Sequence, residues 1–406
     1  MRVLLVGAVA ILAGCTSGPV HAVAARSFST HPVSTPGLAS PGCTTASATG
    51  SLPLRGVSIA MLRVTGGPFG VSVTPDGRWA FVSGSQSSII QVFRITGGSL
   101  APVAVRSIRL PAGPDRLLAA PLGSTITADG RYLLAATGSG AVVIDVARAV
   151  SGQGNAVLGT LGDPRLTSAG QDSAIEVAVS RDGDYAFVTD EYADLAAVFN
   201  LRLALSHGFG PADYVGRIPL GEAAVGLAVS PDGRWLYATS EAASLHTNTG
   251  TLTVINLRRA ETDPAGSIVT TVDAGCNPVR VITSANGGTV WVDARASDDL
   301  LGFSAARLIS APARALVSVT RVGAAPVGLA LVRGGSLIVI ADSNRFSQRG
   351  AVANLCVVNV TAKPDVLGYL PAGQFPREMA VEPGGSTLLV TDYGSSQLEA
   401  VHFARP

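Results

Sequence analysis

The residues of this chain that could bind or transform a ligand are few, and they recur at related places in the sequence. Charged side chains make up only 14% of the 406 residues. Glu176, Arg280 and Glu378 each lie at the start of a short β-prone run, and Arg377 directly precedes Glu378. Guanidinium groups hold carboxylates and developing oxyanions, and a carboxylate with a raised pKa can act as a general base. These residue types suit either the binding of an anion or a hydrolysis assisted by a carboxylate.

A second set of charged residues lies where the following β-prone run ends. Its members are Asp190, Glu241, Arg295, Asp342 and Asp392. If the two runs are antiparallel strands, both sets return to the same side of the molecule. Polar residues at strand ends are also typical of an ordinary solvated rim, so this second set permits a binding role or a purely structural one.

Other chemistry is excluded by what the sequence lacks. It contains no Gly-x-Ser-x-Gly elbow, phosphate-binding loop or His-Glu-x-x-His helix, and its five histidines never fall at metal-ligand spacing. We therefore expect no metal and no cofactor. The net charge is +1 and Lys363 is the only lysine, so we expect no nucleic-acid partner.

The elements that must position these residues form a repeat in the sequence. Gly226 to Leu257 contains three β-prone runs, the first two separated by the tight turn Pro231-Asp-Gly233. The same turn recurs seven times at intervals of 48 to 54 residues, marked by Asp76, Asp129, Asp182, Asp232, Asn286, Gly334 and Gly384. A period of this length with several short strands per unit is typical of a β-propeller blade.

The predicted fold is therefore all-β, a seven-bladed β-propeller spanning residues 55–406. The last repeat supplies only three strands before Pro406, so we expect the strand-like run Val57 to Val64 to be its outermost strand. Aligned on their turns, the repeats put Glu176, Arg280 and Glu378 around the mouth of the central channel. The loops Glu241 to Gly250 and Asp342 to Ala353 are expected to cover that mouth in part, with His246 and Arg345 as their most reactive side chains.

The N-terminal part predicts export. Residues 1–14 resemble a signal peptide, and Leu12-Ala-Gly-Cys15 resembles a bacterial lipobox, which predicts lipid attachment at Cys15. An ordinary secretory signal is the alternative. Residues 15–54 are rich in Ser, Thr and Pro and are predicted to be a flexible tether. The expected protein is a monomer outside the cytoplasm, held to the membrane through its N-terminal lipid only.

Three cysteines remain after Cys15, an odd number for an oxidising compartment. We favour a disulfide between Cys43 and Cys276, since both lie outside the predicted strands. Cys356 lies within a strand-like run and is expected to be a buried free thiol.

The repeats resemble a known family. Ser230-Pro-Asp-Gly-Arg-Trp-Leu-Tyr-Ala-Thr is similar to the blade core of YVTN-repeat β-propellers, and the resemblance extends from about Arg55 to Phe403. Two segments are similar to the lactonase-like branch related to 6-phosphogluconolactonase and the muconate-lactonising enzymes. Pro376-Arg377 matches its Pro-Arg inner strand, and Arg295 matches the arginine of its Asn-Arg strand end, with Ala294 in place of the asparagine. The channel histidines of that branch have no counterpart here.

Two functions follow from these observations. The first is an exported binding module whose channel face takes a cell-envelope protein, a peptide, a glycan or a small anionic molecule. The second, implied by the resemblance, is a lactonase-like hydrolase. In it Arg280, Arg295 and Arg377 would hold an anionic lactone, and Glu176 or Glu378 would act as general base. A carboxylate with a raised pKa facing an arginine would favour the second function.

Overall fold

Seven four-stranded antiparallel sheets form a ring of blades around a central channel. The structure, a computed structural model, describes residues 32–34, 43, 54–96, 100–111, 120–166, 173–244, 249–346 and 353–404. All of these belong to the unit His31–Pro406. The predicted seven-bladed propeller is confirmed.

The strands follow the chain from the centre of each blade outward, after a first strand β1 (Val57–Arg63). Blade 1 contains β2 (Pro68–Val73), β3 (Trp79–Gly84), β4 (Ile89–Arg94) and β5 (Val103–Arg109). Blade 2 contains β6 (Ser124–Ile126), β7 (Tyr132–Thr137), β8 (Gly140–Asp145) and β9 (Val157–Gly162). Blade 3 contains β10 (Ala174–Val179), β11 (Tyr185–Asp190), β12 (Leu195–Asn200) and β13 (Tyr214–Pro219).

The remaining blades repeat this order. Blade 4 contains β14 (Glu222–Val229), β15 (Trp235–Ala242), β16 (Thr249–Asn256) and β17 (Ile268–Cys276). Blade 5 contains β18 (Pro278–Thr283), β19 (Thr289–Ala294), β20 (Asp299–Ser304) and β21 (Leu316–Arg321). Blade 6 contains β22 (Pro326–Val332), β23 (Leu337–Asp342), β24 (Asn354–Asn359) and β25 (Asp365–Pro371). Blade 7 contains β26 (Pro376–Val381), β27 (Thr387–Asp392) and β28 (Gln397–Phe403), with β1 as its outermost strand.

The N-terminal strand closes the ring as predicted. β1 pairs antiparallel with β28, placing Val57 opposite Phe403 and Arg63 opposite Gln397. Blade 7 thus joins the two ends of the propeller chain in a single sheet. This pairing satisfies the outer edge of β28, which would otherwise expose unpaired backbone groups.

The core consists of apolar layers between neighbouring blades. The second strand of each blade is buried on both faces, as in β3 and β27, because each face packs against a different neighbour. Seven separate clusters of buried residues fill the seven interfaces, and the last joins Leu389 and Leu398 of blade 7 to Val71 and Val82 of blade 1. The ring is therefore packed without a break.

The recurrent turn is held by its own side chains. In blade 4 the Ser230 hydroxyl donates to Asp232 Oδ1 (2.5 Å) and accepts from the Trp235 N–H (3.0 Å), while Gly233 adopts φ 72°. A positive φ at this position favours glycine. Equivalent bonds join Thr74 to Asp76 and Thr127 to Asp129. Hydrogen bonding from Thr74 is the main cause that lowers the pKa of Asp76 to about 2.

Hydroxyl side chains near the axis link each of four blades to the next. The Thr239 hydroxyl accepts from the Gly226 N–H in its own blade (2.9 Å) and donates to the Val279 carbonyl in blade 5 (2.6 Å). The equivalent residues that make the same two bonds are Ser83, Thr189 and Thr391. We call these four residues the hydroxyl bridges. They join the innermost strands of neighbouring blades around the channel.

Short helices follow the third strand in blades 2 to 5, and we did not predict them. They are α1 (Val146–Ser151), α2 (Leu201–His207), α3 (Leu257–Ala260) and α4 (Ala305–Ser310). Each begins after a residue whose side chain accepts a helix N–H, namely Asp145, Asn200, Asn256 and Ser304. Such N-caps stabilise a single helical turn that leads to the outer strand.

The N-terminal segment contacts blade 4. Val33 forms an isolated parallel bridge with Val272, its N–H donating to the Thr271 carbonyl (2.8 Å). Cys43 forms a disulfide with Cys276, the pairing that we favoured, and Cys356 is a buried free thiol as predicted. The signal peptide, Cys15 and most of the predicted tether lie outside the described residues.

Candidate binding site at the channel mouth

The three charged residues predicted to ring the channel mouth contact one another. Arg280 of blade 5 forms ion pairs with Glu176 of blade 3, with Nη1 3.3 Å from Oε2, and with Glu378 of blade 7. All three side chains are largely buried, since Arg280 retains 8% of its side-chain exposure and the glutamates 13% and 14%. Charges are rarely buried unless they are paired in this way.

A small apolar cluster lies next to the positions of the charged ring in the sequence. Phe69, Leu122, Ile175 and Val225 form a small cluster contributed by blades 1 to 4. Each directly precedes the position of the charged ring in its own blade. Blade 3 therefore contributes to both groups, with Ile175 in the apolar cluster and Glu176 in the charged ring.

Burial shifts the pKa values of two groups at the channel mouth. It raises the pKa of Glu176, against the opposing effect of the Arg280 guanidinium. Burial also lowers the pKa of Arg377 to about 9, and the positive charges of Arg280 and Arg345 contribute to the shift. This is the combination of groups that we expected to favour a hydrolase: a carboxylate with a raised pKa facing an arginine.

Arg377 lies on aromatic rings rather than on a carboxylate. Its guanidinium carbon is 3.7 Å from the centre of the Phe69 ring and 5.4 Å from that of Phe375. Its Nε is buried and has no hydrogen-bond partner among the described residues. Arg377 takes part in no ion pair among the described residues, so its charge is balanced only by more distant carboxylates.

A second ion pair lies farther out on the same face. Arg295 donates from Nη1 to Glu241 Oε1 (2.7 Å) and from Nη2 to Oε2 (2.5 Å), joining blades 5 and 4. This fork-like arrangement is the geometry in which arginine binds a carboxylate most strongly. Two of the residues predicted for the channel face thus neutralise each other.

The loop after β23 brings Arg345 to this face. Arg345 lies 5.7 Å from the ring centres of both Phe346 and Phe375, and Arg295 lies 5.5 Å from that of Phe346. Burial and the positive charge of Arg295 lower the pKa of Arg345. Like Arg377, Arg345 forms no ion pair with any carboxylate that the structure describes.

Glu191 is a further carboxylate of the site. It follows β11, and its pKa is raised by burial and by the negative charge of Glu241. The guanidinium groups of Arg377, Arg295 and Arg345 act on it in the opposite direction. Glu191 is therefore electrostatically linked to the arginines of the channel mouth, although no hydrogen bond joins them.

The three aspartates predicted for the channel face are buried against the segments that enter their own blades. Asp190 accepts from the N–H groups of Ser173 (3.1 Å) and Ala193 (3.0 Å), which holds the connection entering blade 3. Asp342 and Asp392 are fully buried against Gly323 and Gly373, where an added Cβ would collide with the carboxylates. All three side chains therefore support the connections that enter blades 3, 6 and 7.

Two of these aspartates carry raised pKa values. Burial and the charge of Asp298 raise the pKa of Asp342 well above its ordinary value. Burial raises the pKa of Asp392 to about 7 and that of its neighbour Glu399 to about 9. One proton shared by Asp392 and Glu399 removes the repulsion between two buried carboxylates.

His246 and residues 347–352 lie outside the described part of the chain. Within that part, no group of three His, Cys, Asp or Glu side chains could hold a metal ion. No helix of the described residues is long and apolar enough to cross a membrane.

Comparison with known proteins identifies a fold but no family. No protein-family model matches the chain, and no curated protein matches it. Among solved structures, a chain of hydrazine synthase from Kuenenia stuttgartiensis is similar, with a TM-score of 0.62. The match covers 83% of this chain and 96% of that chain at 14% sequence identity. At that identity the likeness concerns the propeller fold alone.

Sequence reasoning did not identify the aromatic residues of the site. Phe69 and Phe375 lie one and three residues before positions of the aligned ring, and Phe346 follows Arg345. Their only sequence signal was this closeness to charged positions. Asp293 was also missed, although it aligns with the hydroxyl bridges of four other blades.

Proposed function

We propose that this protein is a binding module that takes an anionic small molecule at the channel mouth. The observation that carries the proposal is the pair Arg345 and Arg377, two guanidinium groups on one face without an ion-pair partner among the described residues. Guanidinium groups bind carboxylates and phosphates through several donors at once. An anionic ligand would supply the acceptors that these two side chains lack.

The proposed site of action is the bacterial cell envelope. The sequence Leu12-Ala-Gly-Cys15 supports lipid attachment at Cys15, and the disulfide between Cys43 and Cys276 supports an oxidising compartment. An exported propeller tethered by its N-terminus would present the channel mouth to small molecules, peptides or glycans outside the cytoplasm.

The second candidate is a lactonase-like hydrolase of the kind the family resemblance implies. It is favoured by the raised pKa of Glu176 opposite Arg280, and by that of Glu191 among Arg295, Arg345 and Arg377. Glu191, once ionised, could take a proton from water while an arginine holds the carbonyl oxygen of the lactone. Water would add to the carbonyl, the ring C–O bond would break, and the product would be a hydroxy acid.

A lactone that carries a carboxylate tests both functions in a single preparation. We expect paraconate, a γ-lactone with a carboxylate, to bind the full chain in isothermal titration calorimetry. Replacing Arg345 by Ala should weaken that binding roughly tenfold or more, because a charge-assisted hydrogen bond is lost. Arg131→Ala, which removes the same charge from the turn between β6 and β7 on the opposite face, is the matched control and should change nothing.

Proton release, followed at constant pH, separates the two functions. Binding without proton release supports the binding module, whereas steady release that disappears in Glu191→Gln supports the hydrolase. Equal affinity in the wild type and Arg345→Ala would contradict the proposed anion site.

A further inference from the structure

Arginine and phenylalanine side chains alternate across the channel face. In order they are Phe69, Arg377, Phe375, Arg345, Phe346 and Arg295, and we call them the guanidinium–aromatic row. Each arginine lies between 3.7 and 5.7 Å from the ring centre of its neighbours in the row. The row crosses blades 1, 7, 6 and 5 and ends at the ion pair of Arg295 with Glu241.

Both ends of the row are buried, but one inner member is exposed. Phe69 is buried, with 4% of its surface exposed, and Arg295 is also buried. Phe346, near the other end, keeps 49% of its surface exposed although it is a large apolar side chain. An exposed aromatic ring next to buried members of the same row leaves a free face on which a further planar group can stack.

Charge and shape at this place select the same kind of ligand. Arg345, adjacent to Phe346, has no ion pair with the described carboxylates, and its pKa is lowered by burial and then by the neighbouring positive charge of Arg295. A carboxylate placed at Arg345 would relieve that repulsion. A ring attached to the carboxylate would then lie against the exposed face of Phe346.

We infer that the ligand of the channel mouth is an aromatic carboxylate, whose ring extends the guanidinium–aromatic row at Phe346 while its carboxylate pairs with Arg345. This inference rests on the proposed anion site and adds the chemical class of the ligand. Stacking on the row distinguishes an aromatic ring from an aliphatic ring of similar size, because only the aromatic ring has a π face that attracts guanidinium and phenyl groups.

Two carboxylates of similar size test the inference. We expect benzoate to bind the full chain roughly threefold to tenfold more tightly than cyclohexanecarboxylate in isothermal titration calorimetry. A merely apolar surface would show the opposite order, since the saturated ring is the more apolar of the two. The comparison therefore separates stacking from simple burial of apolar area.

Variants of Phe346 locate the effect. Phe346→Leu keeps an apolar side chain but removes the ring, so the two affinities should become equal through weaker binding of benzoate. Phe346→Tyr keeps the ring and should preserve the ratio. Because Phe346 is half exposed, neither change should prevent folding.

The possible failures are distinguishable. If cyclohexanecarboxylate binds the wild type as tightly as benzoate, the aromatic inference is overturned and the anion site stands. The inference is also overturned if the preference for benzoate survives in Phe346→Leu. If neither carboxylate binds the wild type, the anion site itself is overturned, and the aromatic inference with it.

Discussion

Asp293 occupies the position of the hydroxyl bridges in its blade but has a different chemical group. Four blades have a hydroxyl bridge at this position, and blade 5 has a carboxyl group instead. Asp293 Oδ1 accepts from the N–H groups of Val279 (3.1 Å) and Arg280 (2.7 Å), as a hydroxyl would. Its Oδ2 is buried and has no hydrogen-bond partner among the described residues. A proton on Oδ2 would restore the donor that the other bridges use.

The surroundings of Asp293 favour that protonated form. Burial raises the pKa of Asp293 to about 7, while Arg280 and Arg295 act in the opposite direction. The folded protein therefore holds a proton on Asp293 at pH values where the unfolded chain has released it.

This proton makes stability depend on pH. Because the folded pKa lies above the unfolded one, the contribution of Asp293 is complete below pH 4 and is lost as the pH rises through 7. Between pH 5 and pH 8, the free energy of unfolding of the wild type should fall by an amount on the order of 2 kcal/mol because of Asp293. In Asp293→Thr this part of the fall should be absent. Urea unfolding of both proteins at the two pH values measures it, and the wild type should show the steeper decline. Parallel pH profiles would contradict a proton on Asp293.

At the scale of elements, the second strand of each blade both fills the core and joins neighbouring blades. Its apolar side chains pack in two interfaces, and in blades 1, 3, 4 and 7 it also carries the hydroxyl bridge, which is Thr239 in β15. Both hydrogen-bonding partners of that hydroxyl are backbone groups of innermost strands. A hydroxyl bridge therefore sets how closely two blades approach at the axis, next to the residues of the site.

Removing a hydroxyl bridge should destabilise the protein. Thr239→Val keeps the shape of the side chain but leaves the Gly226 N–H and the Val279 carbonyl without their partner. We expect a loss of about 2 kcal/mol in the free energy of unfolding, measured in urea, because both groups are buried. Thr239→Ser retains the hydroxyl and should lose clearly less. A free energy of unfolding of Thr239→Val equal to that of the wild type would mean that the two hydrogen bonds of Thr239 do not stabilise the protein.

At the scale of the whole molecule, a strand pairing and a disulfide oppose opening of the ring. β1 completes blade 7, and the disulfide between Cys43 and Cys276 ties the N-terminal segment to β17 of blade 4. The disulfide joins residues 233 positions apart in the chain. A crosslink over so many residues restricts the unfolded chain strongly, which raises the relative stability of the folded state.

Loss of this disulfide should lower stability and leave the blades intact. We expect Cys43→Ser to reduce the free energy of unfolding by about 2 to 4 kcal/mol in urea, with an unchanged far-ultraviolet circular dichroism spectrum. Reductant should lower the wild type to the same value and have no effect on the variant. Cys356 is buried and should resist alkylation in the folded protein throughout. A wild type insensitive to reductant would argue against the disulfide.

The sequence by itself determined the repeat, the number of blades and the way the ring closes. Turn chemistry and apolar runs are local properties, so seven similar segments predict seven similar sheets, and a three-stranded last repeat requires a strand from elsewhere. The alignment of repeats also placed Glu176, Arg280 and Glu378 together, since equivalent positions of a symmetric ring meet at its axis. Their ion pairs follow from that symmetry and from their opposite charges.

Only the tertiary structure decided which of the remaining charged residues face the channel. Asp190 and Asp342 end their second strands and turn inward to support the connections between blades. Glu241 and Arg295 lie one position later in the aligned repeats, and their side chains contact each other. Successive side chains of a strand point in opposite directions, so a difference of one residue separates the two outcomes. The path of the irregular loop that brings Arg345 and Phe346 to the row depends on contacts with blades distant in sequence, which no local pattern encodes.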